Sequence, residues 1–187
     1  MDTVAALIVE SADKGVQAGR RILDCYGIAG EFVATTDHAS DREAGIDGYL
    51  RLGDRRLPVG MRFQHCRPQG TVTFRDTTGG ELSKRRAAAA DYPNHLTLHS
   101  YWWPDRDTFD SAYLVRTADA VANLAKRVQV NPEDGHKFRF ARACDVTHMG
   151  CSRWEHPPYP RLLPSNSDPA RLAAVAHVLG ARVAPQP

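Results

Sequence analysis

Two neighbouring segments in the first third of the chain alternate between apolar and polar residues. The apolar positions are Ile46, Leu50 and Leu52 in the first segment, and Leu57, Val59, Met61 and Phe63 in the second. A period of two predicts β-strands with one buried and one open face, close enough along the chain to form a hairpin. With a turn over 53–56, Leu52 faces Leu57 and Leu50 faces Val59. The same register places Asp47 opposite Arg62 on the open face.

Hydrophobic spacing and capping residues predict the other elements. Spacings of three and four residues indicate helices over 3–26 and 118–128, the second with Thr117 as its N-cap. Alanine propensity indicates a helix over 81–91, and Asp168-Pro169 starts a last helix that stops at Gly180. Strands are predicted over 31–36, 71–75, 95–102, 112–116 and 137–143. We expect the strand over 71–75 to continue a meander with the hairpin.

This order of elements predicts the α/β (α+β) class, with a mixed central β-sheet flanked by helices. We expect a single domain over 1–153. A proline-rich arm and the C-terminal helix then make up 154–187, because the segment HPPYPRLLP favours an extended chain.

Composition narrows the class of protein without identifying it. Apolar residues make up 42% and charged residues 25% of the 187 residues, which is typical of a globular domain. No apolar run has the length of a membrane span, and the N-terminus lacks the basic region of a secretory signal. We therefore expect a cytoplasmic protein with reduced thiols and no membrane partner. The sequence contains no Gly-x-Ser-x-Gly elbow, no phosphate-binding glycine loop and no dinucleotide fingerprint. It therefore argues against several large enzyme classes that use these motifs.

Three stretches carry a resemblance to a known superfamily. They are Glu10 in the leading helix, Gly45-Ile46-Asp47 at the start of a strand, and Val59-Gly60-Met61-Arg62-Phe63 in the hairpin partner. Together they resemble the restriction-endonuclease-like PD-(D/E)XK nucleases, well over the first half of the chain and loosely to about Ala143. The resemblance implies a nuclease that hydrolyses phosphodiester bonds, most readily in DNA, with Mg²⁺ or Mn²⁺ as cofactor. It implies that Asp47 is a metal ligand.

The motif departs from the superfamily at two positions. Arg62 stands where the superfamily has lysine, and Gly60 stands where it has an acid, so Gly60 offers no side chain to a metal. Three replacements for the missing ligand are open: Glu10 as a second carboxylate, Gln64 as a neutral oxygen ligand, or Glu81 with Lys84 from the following helix. We expect catalytic roles for Asp47, Arg62, Glu10 and Gln64, with Asp47 and Glu10 binding Mg²⁺. The residues expected to contact nucleic acid are Arg51, Lys84, Arg85 and His99.

Other interpretations of the same residues remain open. Asp47 and Arg62 could simply form an ion pair between neighbouring strands. Glu81 and Arg85, four residues apart, could likewise form an ion pair on the surface of a helix. A catalytically inactive member of the fold could serve as a nucleic-acid-binding or assembly subunit. The sequence also leaves open whether the protein forms a homodimer or joins a larger protein assembly.

Histidines and cysteines suggest two more sites. Four potential zinc ligands fall within thirteen residues: Cys144, His148, Cys151 and His156. They could bind Zn²⁺ and so stabilise a protein that serves as an interaction module. Their spacing, however, matches no common zinc motif. His95 and His99 share a strand face with Thr97 and Tyr101, and that face could line a substrate groove.

Overall fold

The computed structural model describes residues 3–35, 45–65, 70–77, 80–103, 108–132, 134–146, 149–152 and Leu179. The helices are α1 (Thr3–Cys25), α2 (Glu81–Asp91), α3 (Thr117–Ala122) and α4 (Ala143–Val146). The strands are β1 (Glu31–Ala34), β2 (Gly48–Leu52), β3 (Arg55–His65), β4 (Thr71–Arg75), β5 (Leu96–Trp103), β6 (Thr108–Arg116), β7 (Gln129–Val130), β8 (Lys137–Arg142) and β9 (Met149–Ser152).

A mixed six-stranded sheet forms the centre of the fold, in the order β1-β2-β3-β5-β6-β9. Among these described strands, only β3 and β5 run parallel to each other, and every other neighbouring pair is antiparallel. The parallel pair requires a crossover, which the chain makes through β4 and α2. The prediction of a mixed central sheet with helices is therefore confirmed. Within the described part of the chain, none of the helices combines the length and apolar character that a bilayer span needs.

The hairpin of β2 and β3 has a tighter turn than predicted. Leu52 pairs with Arg55 and Leu50 with Leu57, so only Gly53 and Asp54 form the turn. Gly53 has a φ of +58°, a conformation that favours glycine in two-residue hairpin loops. The predicted register was wrong by two residues.

A shift of two residues keeps every side chain on its predicted face, because the strand period is two. It changes the partners, however. Gly48 pairs with Val59, and the Asp47 backbone N–H donates to the Val59 carbonyl at 3.0 Å. Asp47 therefore lies beside Gly60, and the prediction that it lies opposite Arg62 was wrong.

The strand β4 does not continue the meander, which corrects a second prediction. It pairs with β8 in a separate three-stranded sheet of order β4-β8-β7, while β5 takes the free edge of β3. The second sheet and α2 then cover the face of the hairpin that was expected to be open. His99 and Thr97, on the same face of β5, are almost completely buried.

Two apolar cores lie on opposite faces of the central sheet. The first lies between α1 and the sheet and is built from residues such as Ile22, Leu50, Val59 and Leu98. The second lies beneath α2, α3 and the small sheet, around Phe74, Leu82 and Val115. Leu179, which belongs to the predicted last helix, is helical and buried in the first core. The rest of the predicted arm over 154–187 lies outside the described residues.

The helix α3 ends at Ala122, six residues before its predicted end. Its predicted N-cap, Thr117, is the first helical residue, and the Thr117 hydroxyl bonds to His95 and Thr97. The side chain of Asn123 donates to the Asp119 carbonyl, a local hydrogen bond that competes with continuation of the helix. The elements β7, α4 and β9 were not predicted.

Candidate functional site

A polar cleft of about 420 Å³ opens between α2 and the strand ends of the central sheet. Four cationic side chains and two carboxylates line it: Arg62, Arg75, Lys84 and Arg85, with Asp47 and Glu81. The lining residues that the structure describes thus carry an excess of two positive charges. Gly80 and Glu81 place the N-terminus of α2 at the same cleft, which adds a partial positive charge.

Arg85 reaches Asp47 from the buried face of α2. Leu82, Arg85 and Ala88 form that face at a spacing of three residues, so the stem of Arg85 packs where an apolar side chain would otherwise lie. Its Nη2 donates to Asp47 Oδ2 at 2.9 Å, and its Nη1 donates to the Gly45 carbonyl. The side chain of Arg85 is 5% exposed and that of Asp47 is 27% exposed. The pair is therefore a largely buried charge-assisted hydrogen bond.

Gly60 makes room for the guanidinium of Arg85. A Cβ added at Gly60 would lie 1.8 Å from Arg85 Nη1 and 2.1 Å from Cζ, distances that no real contact allows. Asp47 Oδ2 also accepts the backbone N–H of Met61, the next residue of β3, at 2.6 Å. The space beside Gly60 is thus filled by a cation.

Arg62 and Glu81 form the second ion pair of the cleft. Arg62 Nη1 donates to Glu81 Oε2, and the same oxygen accepts the backbone N–H of Arg75 at 3.1 Å. On its other side, the guanidinium carbon of Arg62 lies 5.6 Å from the centre of the Phe138 ring. Arg62 is therefore held between a carboxylate and an aromatic ring, while remaining 17% exposed.

A buried polar layer lies behind the cleft, between the two sheets. The Thr73 backbone N–H lies 3.5 Å from His99 Nδ1, and His99 Nε2 lies 3.1 Å from Gln64 Oε1, which also accepts the Thr73 hydroxyl. These partners are satisfied together when His99 is neutral with its proton on Nε2. Burial, and then the charge of Arg62, hold the pKa of His99 well below its usual value.

His95 extends this layer towards Arg85. Its Nδ1 lies 2.7 Å from the Thr117 hydroxyl, which lies 2.8 Å from the Thr97 hydroxyl. Burial lowers the pKa of His95 to about 4, with a smaller contribution from the charge of Arg85, against opposing effects of the Gly45 carbonyl and Asp47. Both histidines are therefore neutral at pH 7.

The buried histidines predict a loss of stability in mild acid. The unfolded chain protonates His95 near pH 6.5, whereas the folded chain holds it neutral until the pH approaches its lowered pKa of about 4. The stability that His95 contributes is complete above pH 6.5 and falls by about 3 kcal/mol as the pH drops to 4. Urea unfolding at intervals across this range measures the free energy of unfolding.

The variant His95→Gln should make this decline smaller by about 3 kcal/mol, because it removes one of the two buried titrating groups and leaves His99 in place. The matched control, His136→Gln, replaces a histidine whose side chain is 40% exposed, and it should decline as the parent does. Equal declines in the parent and in His95→Gln would contradict the assignment.

The structure brings some of the predicted site residues together and separates others. Asp47, Arg62, Lys84 and Arg85 line the cleft, together with Glu81, one of the three replacements considered for the missing acid. Glu10 lies against the opposite face, 3.6 Å from Lys14 Nζ and 4.0 Å from His65 Nε2.

The remaining predicted residues lie away from the cleft. The carbonyl of Gln64 is occupied by two donors, as described above, and does not line the cleft. Arg51 forms an exposed pair with Glu31. His99 is completely buried, so it has no surface for direct contact with nucleic acid.

Sequence reasoning missed three features of the site. Arg75 was not singled out, because an arginine at the end of a short strand has no distinctive signal. The pairing of Glu81 with Arg85 was wrong, since Glu81 contacts Arg62 and Arg85 contacts Asp47. The spacing of Leu82, Arg85 and Ala88 would have indicated that Arg85 faces inward.

Metal binding finds little support in the described part of the chain. No group of three or more His, Cys, Asp or Glu side chains there is arranged to hold a metal ion. His148, His156 and the side chains of Cys144 and Cys151 lie outside the described residues, so the zinc site stays a prediction.

Three comparisons set this chain beside known proteins. None of the family models, curated proteins or solved structures matches it.

Proposed function

We propose that the cleft binds the phosphodiester backbone of nucleic acid, with DNA as the favoured form. In this proposal the chain is a non-hydrolysing relative of the PD-(D/E)XK nucleases that acts as a binding or assembly subunit. The observation that carries the proposal is the position of Arg85. Its guanidinium fills the space beside Gly60, where the resemblance implies a metal-binding acid.

The order of elements supports the resemblance on which this proposal draws. A leading helix is followed by the antiparallel strands β1, β2 and β3, then by α2 and a strand parallel to β3. Asp47 lies directly before β2, and Arg62 lies on β3, the two strands that carry the residues of the resemblance. The insertion of β4 between β3 and α2 adds a wall to the cleft through Arg75.

The charges of the cleft suit an anion better than a metal ion. Asp47 Oδ2 and Glu81 Oε2 each accept hydrogen bonds from an arginine and from a backbone N–H. A cation at either oxygen would have to compete with a guanidinium that is already there. A phosphate, in contrast, would gain from Lys84, Arg75 and the N-terminus of α2. With both carboxylates paired to arginines, the residues in this arrangement do not fit Mg²⁺, and the proposed function includes no hydrolytic step.

Oligonucleotide binding tests the proposal directly. We expect a fluorescently labelled DNA oligonucleotide to bind in EDTA, with an affinity that falls as salt rises. The variants Lys84→Gln and Arg75→Gln should each weaken binding and reduce the slope of log K against log salt by about one. Fluorescence anisotropy over a range of salt concentrations measures both quantities.

The control is Arg142→Gln, which removes an arginine whose side chain is 71% exposed and which pairs with Asp145 outside the cleft. Its affinity and salt slope should match those of the parent. Unchanged binding in both cleft variants would exclude this cleft as the phosphate site.

A metal-dependent nuclease is the second candidate, because Asp47 and Glu81 place two carboxylates in one cleft. Glu81 would then replace the acid missing at Gly60, and Arg62 would contact the phosphate. The same labelled oligonucleotide, incubated with Mg²⁺ or Mn²⁺, distinguishes the two candidates. Cleavage that Glu81→Gln abolishes supports the nuclease, whereas an intact oligonucleotide excludes it.

A further inference from the structure

A second groove lies beside the cleft, on the far side of Arg62. Its volume is about 860 Å³, within the range of sites for small organic ligands. One wall comes from the end of β3, through His65, and from the middle of β4, through Thr73. The other comes from the segment 127–132 and from Phe138 of β8. The edge strand β7 therefore forms part of the groove.

Arg62 connects the groove to the cleft. It lines the cleft, and its guanidinium lies against the ring of Phe138, which lines the groove. The two strands that form the cleft also continue into the groove: Arg75 and Thr73 lie two residues apart on β4, as Arg62 and Gln64 do on β3. Two residues of a strand span about 7 Å. Arg75 of the cleft pairs with Phe138 in the register of β4 and β8, so a ligand whose phosphate lies at Arg75 can reach Phe138 with an attached ring.

The groove contains the chemistry that recognises a flat heterocycle. Phe138 and His65 present partly exposed rings, and Val130, 57% exposed, adds an apolar surface. Gln129 supplies an amide group, which can donate to and accept from the edge of a base. Arg127 adds a cation at the same groove.

We propose that this groove takes an unpaired nucleobase of the strand whose phosphate occupies the cleft. This inference rests on the proposed function, and it restricts the ligand to single-stranded nucleic acid. A base within a duplex is stacked and paired, and so it cannot enter a groove beside its own phosphate without leaving the helix. Stacking on Phe138 tolerates every base, because each has a π-face.

Two oligonucleotides of equal length and charge test the inference. One is oligothymidylate, and the other is an abasic strand with the same number of phosphates. We expect the parent protein to bind oligothymidylate about tenfold more tightly, since stacking on aromatic side chains contributes on this scale. Fluorescence anisotropy at one fixed salt concentration measures both affinities.

Variants of Phe138 test whether the groove causes the difference in affinity between oligothymidylate and the abasic strand. Phe138→Ala and the more conservative Phe138→Leu should bind both strands equally, at the affinity of the parent for the abasic strand. Phe138→Leu keeps the apolar bulk, so it tests the aromatic ring even if the alanine variant folds poorly. Tyr92→Ala, which removes an aromatic side chain that is 41% exposed outside the groove, should keep the tenfold preference.

The outcomes separate this inference from the proposed function. Equal binding of both strands by the parent overturns the base-binding groove and leaves phosphate binding in place. A preference that survives in Phe138→Leu also overturns the groove. Failure of the parent to bind either strand overturns both proposals.

Discussion

The Gly60→Ala variant is expected to lose about 3 kcal/mol of its free energy of unfolding, measured by urea denaturation at pH 7. The added methyl group would lie 1.8 Å from Arg85 Nη1, and the guanidinium is held on its other side by Asp47 and the Gly45 carbonyl. Either the strand shifts or Arg85 leaves its partners. Because Arg85 lines the cleft, oligonucleotide binding should weaken as well.

The matched control is the same substitution in a protein that lacks Arg85. In the Arg85→Ala background, Gly60→Ala should cost far less, since the atoms that clash have been removed. The two changes would then be strongly non-additive, as expected for residues in contact. Additive losses would show that Gly60 is required for a reason other than Arg85.

The local elements of the fold were predictable because their signals are local. The strand over 71–75 and the helix over 81–91 have the predicted bounds. The alternation from Leu57 to Phe63 identified the face of β3 that packs against α1, because side-chain direction follows from the strand period alone. The order of elements was enough to predict a mixed sheet.

The partners of these elements were not predictable from the same signals. A hairpin register shifted by two residues satisfies the same alternation, so the pattern from Ile46 to Phe63 could not exclude it. The strand β4 alternates in the same way whether it pairs with β3 or with β8. Only the competition between β4 and β5 for the edge of β3 decides the pairing, and that competition is a tertiary effect.

The candidate site shows the same limit. Asp47 was identified as the key acid, yet its cationic partner is Arg85 and not Arg62. The sequence contains two acids and several arginines within reach of one another, and charge alone does not select the pairs. Having Arg85 instead of Arg62 as the partner of Asp47 changes what the site can bind, because Arg85 brings a cation into the space beside Gly60.

The polar face of the sheet was predicted to be open and is buried. His95, Thr97 and His99 lie in a layer whose members hydrogen-bond to one another, to Thr117 and to Gln64. A polar face of a strand is normally exposed to solvent. It can instead be buried when a second polar surface covers it and supplies matching hydrogen-bond donors and acceptors. Thr73 of β4 supplies part of that surface.

The Asp47→Ala variant is expected to lose about 4 kcal/mol of its free energy of unfolding, the largest effect expected of any single side-chain truncation in the cleft. It leaves Arg85, 5% exposed, without its carboxylate, and it removes the acceptor of the Met61 backbone N–H. Asp47→Asn should lose about half as much, because its amide oxygen still accepts from Met61. The control, Glu31→Ala, breaks an exposed pair with Arg51 and should change stability by less than about 1 kcal/mol.

The double variant Asp47→Ala with Arg85→Met tests whether Asp47 mainly neutralises Arg85 or instead binds a metal ion. If Asp47 mainly neutralises Arg85, the double variant should be more stable than Asp47→Ala alone, because no unpaired buried charge remains. A carboxylate held for metal chemistry would behave in the opposite way. Asp47→Ala would then be as stable as the parent, and millimolar Mg²⁺ would raise the thermal midpoint of the parent but not that of the variant. That result would favour the nuclease over the binding subunit, since Asp47 would then be free to bind the ion.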